Sequence, residues 1–249
     1  MPGRPTGQWE SGRLIGNAVE AAPIAFVVLD ASGRYLAANR AACRLSGYSR
    51  SELLRLSTVD LSGDQARTEV AFDAAFGSGS GSGVRQLRRK DGTVVPVEYR
   101  LARASLAGEQ LLVSTWWPRD EPAGEEDDNT EPESPSISRE QERVLGIAFQ
   151  NAPIAVIVAD GASNYLAVNE RACEIAGYTR EELYERGAWG IVESPRALEG
   201  RDLTTLPGIR SGEADIRCGD GTRKRVGFRV ATTTLGPQKV RIAVWWELD

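Results

Sequence analysis

Histidine is absent from the 249 residues, and the chain contains only three cysteines and one methionine. Catalytic triads with an imidazole base, the HExxH zinc site and a histidine-ligated haem are therefore excluded. The cysteines, Cys43, Cys173 and Cys218, form no CxxC pair. A disulfide framework or a thiolate metal site is thus disfavoured, and reduced thiols are expected.

Long hydrophobic runs are also missing. The longest uncharged apolar stretches are residues 21–29 and 152–159, and each has less than half of the ~20 residues that a membrane helix needs. The N-terminal segment lacks the basic and then apolar pattern of a secretory signal. These absences predict a soluble, cytoplasmic protein that makes no contact with a membrane.

Charge is distributed unevenly along the chain, whose net charge is −5. Residues 119–135 contain eight acids and one arginine, a balance of 1 − 8 = −7, so the remainder carries −5 + 7 = +2. A segment with so little apolar surface cannot offset its chain entropy by burial. We therefore expect a disordered tail at residues 1–12, a domain at 13–119, an acidic Pro/Glu-rich linker at 120–135, and a helix plus a second domain at 136–249.

The two folded segments repeat each other. Between residues 23–53 and 153–183, 16 of 31 positions are identical at a constant offset of 130. The offset becomes 129 further along, where Trp116-Trp117 matches Trp245-Trp246. Solenoid repeats are much shorter than this period, which therefore indicates the duplication of a whole domain.

Each copy has the same pattern of elements. A short apolar run between Pro and Asp predicts a buried strand, and Asn39 and Asn169 are placed to cap a short helix. Ser49-x-x-Glu52 and Thr179-x-x-Glu182 are capping boxes that begin another helix. The last third of each copy alternates apolar and polar residues, as antiparallel strands do. The predicted fold class is α+β, with one antiparallel sheet in each copy.

The order of these motifs resembles that of the PAS sensory domain: Pro-Ile-Ala, then Asn, then Gly-Tyr-(Ser/Thr)-Arg-x-Glu-Leu, then Asp-Gly-Thr. The resemblance covers residues 14–119 and 139–248. It implies two PAS-like domains, each with a five-stranded antiparallel sheet and short helices on one face that enclose a pocket. It also implies sensing of ligands or redox state, or protein contacts that regulate an effector.

The resemblance leaves the cofactor unknown. The haem-binding subclass uses a histidine, and the light-sensing subclass has a reactive cysteine in a GxNCRFLQ-like helix after Gly-Tyr; neither occurs here. A histidine-ligated haem and a cysteinyl–flavin adduct are therefore disfavoured. Cys43 and Cys173 instead precede Gly-Tyr on the short capped helix, where a buried structural role is favoured over a redox sensor.

The tandem tryptophans define a predicted interaction surface. Strand alternation is interpreted as placing Trp117 and Trp246 inward, and Trp116 and Trp245 outward. An outward tryptophan needs a cover, because exposed apolar patches mark contacts. A helix before the second domain offers one. Intrachain cover and a partner surface both stay open for this strip, which consists of Trp116, Trp245, Val144, Leu145, Ala148 and Phe149.

The inward positions predict the lining of a pocket that either holds a small apolar ligand or is filled by its own side chains. The candidates are Phe72, Phe76, Leu87, Tyr99, Leu101, Val113, Trp117, Trp189, Ile216, Phe228, Val230, Ile242 and Trp246.

Two further patterns have ordinary interpretations. Gly and Ser alternate over residues 77–83 after an apparent helix at 68–76, which is typical of a flexible linker rather than a phosphate loop. The basic hairpins at residues 85–90 and 217–225 are expected to be solvated sheet edges. Nucleic-acid binding is disfavoured because the folded remainder carries only +2. A folding back of the acidic linker onto these hairpins is a hypothesis that the sign of the charges motivates.

Together these patterns predict a non-catalytic sensory or regulatory module that acts through protein–protein contacts. The partners would be an effector in trans and either a second copy or the other domain. Two alternatives stay open: a sensor that carries a flavin or an apolar ligand, and a purely structural dimerisation module.

Overall fold

The computed structural model describes residues 12–119, 137–193 and 209–248. The expected tail and the acidic linker lie outside these residues, apart from Gly12, which begins a helix. The hypothesis that the linker folds back on the basic hairpins lies outside them as well. In the described part of the chain, no helix has the length and apolar character needed to cross a membrane.

Each half of the chain forms the same series of elements. The first half contains α1 (Gly12–Glu20), β1 (Ala25–Leu29), β2 (Tyr35–Ala38), α2 (Arg40–Ser46), α3 (Arg50–Leu53), α4 (Gln65–Ser78), β3 (Ser80–Arg88), β4 (Val94–Leu106) and β5 (Glu109–Pro118). The second half contains α5 (Arg139–Gln150), β6 (Ala155–Ala159), β7 (Tyr165–Val168), α6 (Glu170–Ala176), α7 (Arg180–Arg186), a 3-10 turn (Ala188–Gly190), β8 (Ile209–Arg217), β9 (Arg223–Leu235) and β10 (Gln238–Glu247).

The strands form two five-stranded sheets with the orders β2-β1-β5-β4-β3 and β7-β6-β10-β9-β8. All of the described strand pairs are antiparallel. The short helices of each half pack on one face of its sheet, which we call the inner face. The expected α+β architecture of two similar domains is therefore confirmed.

A buried asparagine fixes the start of the first inner helix in each domain. The Asn39 side chain accepts hydrogen bonds from the amides of Phe26 (2.9 Å) and Ala42 (3.0 Å). It also donates to the carbonyls of Val19 and Ile24, both at 2.9 Å. Asn169 makes the equivalent four bonds in the second domain. The predicted caps are confirmed, and each asparagine also ties the N-terminal helix of its domain to the sheet.

The capping boxes Ser49–Glu52 and Thr179–Glu182 are confirmed, with both reciprocal bonds present. At the start of α5, only half of such a box forms. Ser138 accepts from the Gln141 amide at 3.2 Å, but the Gln141 side chain donates to the Leu36 carbonyl of the first domain at 2.8 Å. The Gln141 side chain therefore bonds the first domain instead of the backbone amide of Ser138.

The expected flexible linker at residues 77–83 is wrong. Helix α4 continues through Ser78 and ends at Gly79, whose φ of 86° is left-handed, and Ser80 begins β3. The glycines of β3 lie opposite long side chains of β4, since Gly81 pairs with Leu101 and Gly83 pairs with Tyr99. A Cβ at Gly83 would lie 3.4 Å from the Tyr99 ring. Glycine here makes room for the neighbouring strand.

The outer faces of both sheets share one hydrophobic core, which also contains α1 and α5. Phe26 and Val113 of the first sheet belong to this core together with Val156 and Val244 of the second. The rings of Trp117 and Trp246 stack across it, with centroids 4.7 Å apart and an interplanar angle of 26°. We call this cluster the shared core. It makes the two domains one packed unit.

Helices α1 and α5 cross closely within the shared core. Gly16 lies against the backbone of Glu142, so a Cβ at this position would overlap the Glu142 carbonyl. Gly77, in contrast, lies in α4 with no atom within 4 Å of the place where a Cβ would stand. The two helical glycines therefore have opposite packing requirements.

Substitution of these glycines tests the close crossing. Gly16→Ala should destabilise the protein by about 1–3 kcal/mol, because the steric overlap outweighs the gain in helix propensity. Gly77→Ala is the matched control, and it should stabilise the protein by about 0.5–1 kcal/mol. Urea denaturation measures both free energies of unfolding. Stabilisation by Gly16→Ala would contradict the close approach of α1 and α5.

Candidate functional site

Each domain has a cavity between its inner sheet face and its helices. The first cavity has a volume of about 620 Å³ and the second about 600 Å³. Both fall within the range of 300–1,000 Å³ that is typical of small-molecule sites. The cavities occupy equivalent places in the two domains.

The inner wall of each cavity contains the first tryptophan of the tandem pair. Trp116 lines the first cavity and packs edge-on against Tyr35, with ring centroids 6.0 Å apart. Trp245 lines the second cavity and packs against Tyr165 in the same way at 6.4 Å. Burial raises the pKa of both tyrosines, so their hydroxyls stay protonated. The Tyr165 hydroxyl has no hydrogen-bond partner among the described residues, whereas the neighbouring Arg85 partly opposes the rise in the pKa of Tyr35.

The two cavities differ in their charged side chains. In the first, the Arg85 guanidinium lies over the Trp116 ring, with Cζ 4.5 Å from the ring centroid. In the second, Arg241 donates to the Ser163 hydroxyl at 2.7 Å. Arg225 of the second cavity forms ion pairs with Glu213 at 2.8 Å and Asp215 at 3.7 Å. The duplicated scaffold therefore has cavities with different polar groups.

The structure places most of the predicted pocket residues on the inner face. Seven of them line the cavities: Phe72, Tyr99 and Leu101 in the first, and Trp189, Ile216, Phe228 and Val230 in the second. Phe76 and Leu87 instead belong to the inner core of the first domain. Their role in binding a ligand stays a prediction.

The predicted orientation of the last strands is wrong. Val113, Trp117, Ile242 and Trp246 belong to the shared core and do not face the cavities. Trp116 and Trp245, which were expected to face outward, are buried in the inner cores. The cause is the register, because Leu101 pairs with Ser114 and Tyr99 pairs with Trp116. A change of register by one residue moves every side chain of a strand to the other face.

The hairpin turn contained a signal that fixes this register. Leu106 pairs with Glu109 across the two-residue loop Ala107-Gly108, whose φ angles of 52° and 91° are both positive. Two-residue hairpin loops of this kind determine the pairing of both strands. Counting from that loop places Trp116, and by repetition Trp245, on the inner face. Tyr165 and Arg85, which line the cavities, were missed because the sequence shows no pattern that assigns them to a cavity.

The helix predicted to cover the outer face does so within the chain. Val144, Leu145, Ala148 and Phe149 of α5 are buried in the shared core. Their partners include the outer face of the first sheet as well as that of the second. The α5 part of the predicted strip is therefore a contact between the two domains, whereas Trp116 and Trp245 lie outside it.

Most of the basic hairpin residues of the second domain have acidic partners. Lys224 forms an ion pair with Glu247 at 2.9 Å, and Arg223 forms one with Glu193 at 3.2 Å. In the first domain Lys90 bonds Glu52 at 2.7 Å, which holds the pKa of that carboxyl at about 2 together with bonds from Ser49. Within the described residues, no group of three acidic or cysteine side chains is placed to hold a metal ion.

The repeated cysteines lie on α2 and α6 and pack against the inner cores. Burial raises the pKa of Cys43, and the positive charge of Arg50 opposes that rise only in part. Burial likewise raises the pKa of Cys173, against the charge of Arg180. Because the thiolate is the reactive form, both thiols are less reactive at neutral pH than exposed ones. This environment favours the structural role.

Comparisons with known proteins find one family in both halves. A model described as the PAS fold matches residues 14–116, and a PAS domain model matches residues 142–210. No curated protein matches the chain.

Three solved structures illustrate the similarity. A PAS domain from Desulfitobacterium hafniense is 24% identical, and the match covers 41% of this chain and 98% of that one with a TM-score of 0.39. A PAS domain of a two-component sensor histidine kinase is 19% identical over 46% of this chain and 100% of its own, with a TM-score of 0.42. A PAS domain in complex with ethanol, from a LuxR-family transcriptional regulator of Burkholderia thailandensis, is 17% identical over 42% and 96%, with a TM-score of 0.37.

Thiol titration tests the environment of the cysteines. In a Cys218→Ser variant, Cys43 and Cys173 should react slowly with Ellman's reagent at pH 7, and the rate should still rise above pH ~9, because burial disfavours the thiolate. The same variant unfolded in urea is the control and should level off near the ordinary thiol pKa. A rate for the folded protein that levels off below neutral pH would contradict this account.

Proposed function

Because the chain belongs to the PAS family and contains two PAS domains in tandem, we propose that it is a non-catalytic sensory module of signal transduction. In this proposal, occupancy of the internal cavities changes how the two domains pack together. The altered surface is then recognised by a protein partner. The free thiols of all three cysteines support a reducing, cytoplasmic location.

One observation carries the proposal: neighbouring tryptophans connect each cavity to the shared core. Trp116 lines the first cavity, and the next residue, Trp117, stacks on Trp246 of the other domain. Trp245 in turn lines the second cavity. Alternation along a strand places adjacent side chains on opposite faces of the sheet. A ligand against the inner indole therefore acts on the strand that also holds the outer one.

The coupling requires only a difference in affinity. A ligand that binds one position of Trp116 better than another shifts the population toward that arrangement of β5. Couplings between sites of this kind amount to about 1–3 kcal/mol, or 5- to 150-fold in affinity. Because β5 and β10 lie in the middle of the two sheets, a shift of either strand reaches the neighbouring strands and α1 or α5.

The shared core also bears on the type of partner. The outer sheet faces and the apolar sides of α1 and α5 are buried within the chain. A partner in trans therefore binds another surface, and a homodimer through the outer sheet faces would require the two domains to separate. We accordingly assign the PAS–PAS contact to the two domains of one chain and the effector to a separate protein.

The alternative of a resident small molecule is favoured by the aromatic lining of the second cavity. Tyr165, Trp189, Phe228 and Trp245 all border it, and such walls suit an apolar or planar ligand. Mass spectrometry of the denatured protein's extract identifies such a molecule, and a visible absorption spectrum distinguishes a flavin from a colourless one.

A side chain that fills the second cavity tests the coupling without a known ligand. Val230 lines this cavity and pairs with Ala243 of β10. Val230→Phe should alter the exciton signal of the stacked Trp117 and Trp246 in circular dichroism. It should also change amide exchange in α5 by roughly 5-fold or more, which is the lower end of such couplings.

Val94→Phe is the matched control, because Val94 is 49% exposed and lies outside both cavities. It should leave both signals at their wild-type values. A folded Val230→Phe variant with the wild-type exciton signal and wild-type exchange in α5 would refute the coupling.

A further inference from the structure

The first cavity contains a cation that has no equivalent in the second. Arg85 lies on β3 opposite Val97, and the corresponding pair in the second domain is Ala214 and Val226. The duplication therefore places an arginine in one cavity wall and an alanine in the other. At this one position the two cavities differ by a single side chain on equivalent backbone.

The Arg85 guanidinium is short of acceptors. Its Nε and Nη2 atoms are buried and have no hydrogen-bond acceptor among the described residues. The face of the group lies on the Trp116 ring, 4.5 Å from Cζ to the centroid. The Trp116 ring makes a cation–π contact with the face of the guanidinium but accepts no hydrogen bond from its N–H groups. Buried donors without acceptors cost free energy, and a buried charge costs more.

The charges around the first cavity do not compensate Arg85. The described residues of its lining include Arg67, Arg85 and Arg119 but only one acid, Asp64, a balance of 3 − 1 = +2. The Asp64 carboxylate already accepts the Arg67 amide as the N-cap of α4.

The second cavity has a different charge balance. Among the described residues, its lining contains three arginines and three acids, a balance of 3 − 3 = 0. The acids include Glu213 and Asp215, which pair with Arg225. Within the described part of the chain, positive charge therefore exceeds negative charge in the lining of the first cavity but not in that of the second.

Part of the first cavity wall is apolar. Leu29, Phe72, Tyr99, Leu101 and Trp116 border the same space as Arg85. We propose that the first PAS domain binds an aromatic monocarboxylate, whose carboxylate pairs with the Arg85 guanidinium and whose ring packs against these side chains. A guanidinium suits this task because it donates two parallel hydrogen bonds to a carboxylate. This inference rests on the proposed sensory function and names the ligand class of one of its cavities.

Calorimetry on the full chain tests the ligand class directly. The probes are phenylacetate, 3-phenylpropanoate, their uncharged amides, and inorganic phosphate. At least one acid should bind with a Kd at or below about 1 mM, and its amide should bind at least ~10-fold more weakly, because it offers no charged acceptor. This comparison needs no variant. Equal affinities of acid and amide, no binding of either acid up to about 10 mM, or binding of phosphate alone would overturn the proposal.

Variants assign the binding to Arg85. Arg85→Met should reduce the affinity for the acid to that of the amide and keep or raise the melting temperature, since it removes a partly buried cation without a paired anion. Arg85→Lys keeps the charge but loses the fork of donors, so its affinity should fall between the two. Arg55→Ala removes an equal charge from an exposed position outside the cavity, and it should bind like the wild type. Wild-type affinity in Arg85→Met would overturn the assignment.

The test of the ligand class and the test of the sensory coupling can fail independently of each other. Binding of an acid through Arg85 without any change of exchange in α5 supports the ligand class and refutes the coupling. Absence of binding refutes the ligand class, while the coupling is still measured through the Val230→Phe variant of the second cavity.

Discussion

The structure depends on the burial of four apolar surfaces against one another: the outer faces of the two sheets and the apolar sides of α1 and α5. Exposure of these extended apolar surfaces to water is unfavourable. In this chain the two sheet faces and the two helices bury one another. The stacked Trp117 and Trp246 and the crossing of Gly16 on Glu142 lie within that contact. The two domains are therefore stabilised together, and each sheet has protein or a cavity on both faces.

A strand buried on both faces transmits a change on one face to the other. The inner face of β5 borders a cavity through Trp116, and its outer face lies in the shared core through Trp117. Asn39 adds a second route, because one side chain bonds β1 and the Val19 carbonyl of α1. Asn169 does the same with β6 and α5. The tandem tryptophans and the buried asparagines thus connect the inner and outer layers of each domain.

Much of the fold could be predicted from the sequence because its determinants are local. The repeat, the caps at Asn39 and Asn169 and the capping boxes depend on residues a few positions apart, and all are confirmed. The partners of long-range contacts were less accessible. Gln141 follows Ser138 by three residues, the spacing of a capping box, yet its side chain bonds Leu36 of the other domain. The glycines of β3 indicated a linker because the side chains that need their space, Tyr99 and Leu101, lie on another strand.

The candidate site shows the same limit. The alternation of side chains along β5 was evident from the sequence, but which of them face the cavity was not. Trp117 was therefore assigned to the inner face in place of Trp116. The direction of Arg85 could not be predicted either, because arginines on a sheet edge are usually solvated and only the fold places this one on Trp116. Duplication fixed the scaffold of both cavities. Differences in side chains, Arg85 against Ala214 among them, give the two cavities different charge.

The central claim is that the two domains fold as one unit through the shared core, and hydrogen exchange of β10 in a Leu53→Ala variant tests it most directly. Leu53 is fully buried in the inner core of the first domain, away from the shared core. Its truncation should lower the stability of that domain by about 2–5 kcal/mol. We expect the slowest amides of Gln238–Glu247, in the second domain, to lose protection by a similar free energy. Wild-type protection of β10 in this variant would show that the domains unfold independently and would contradict the account.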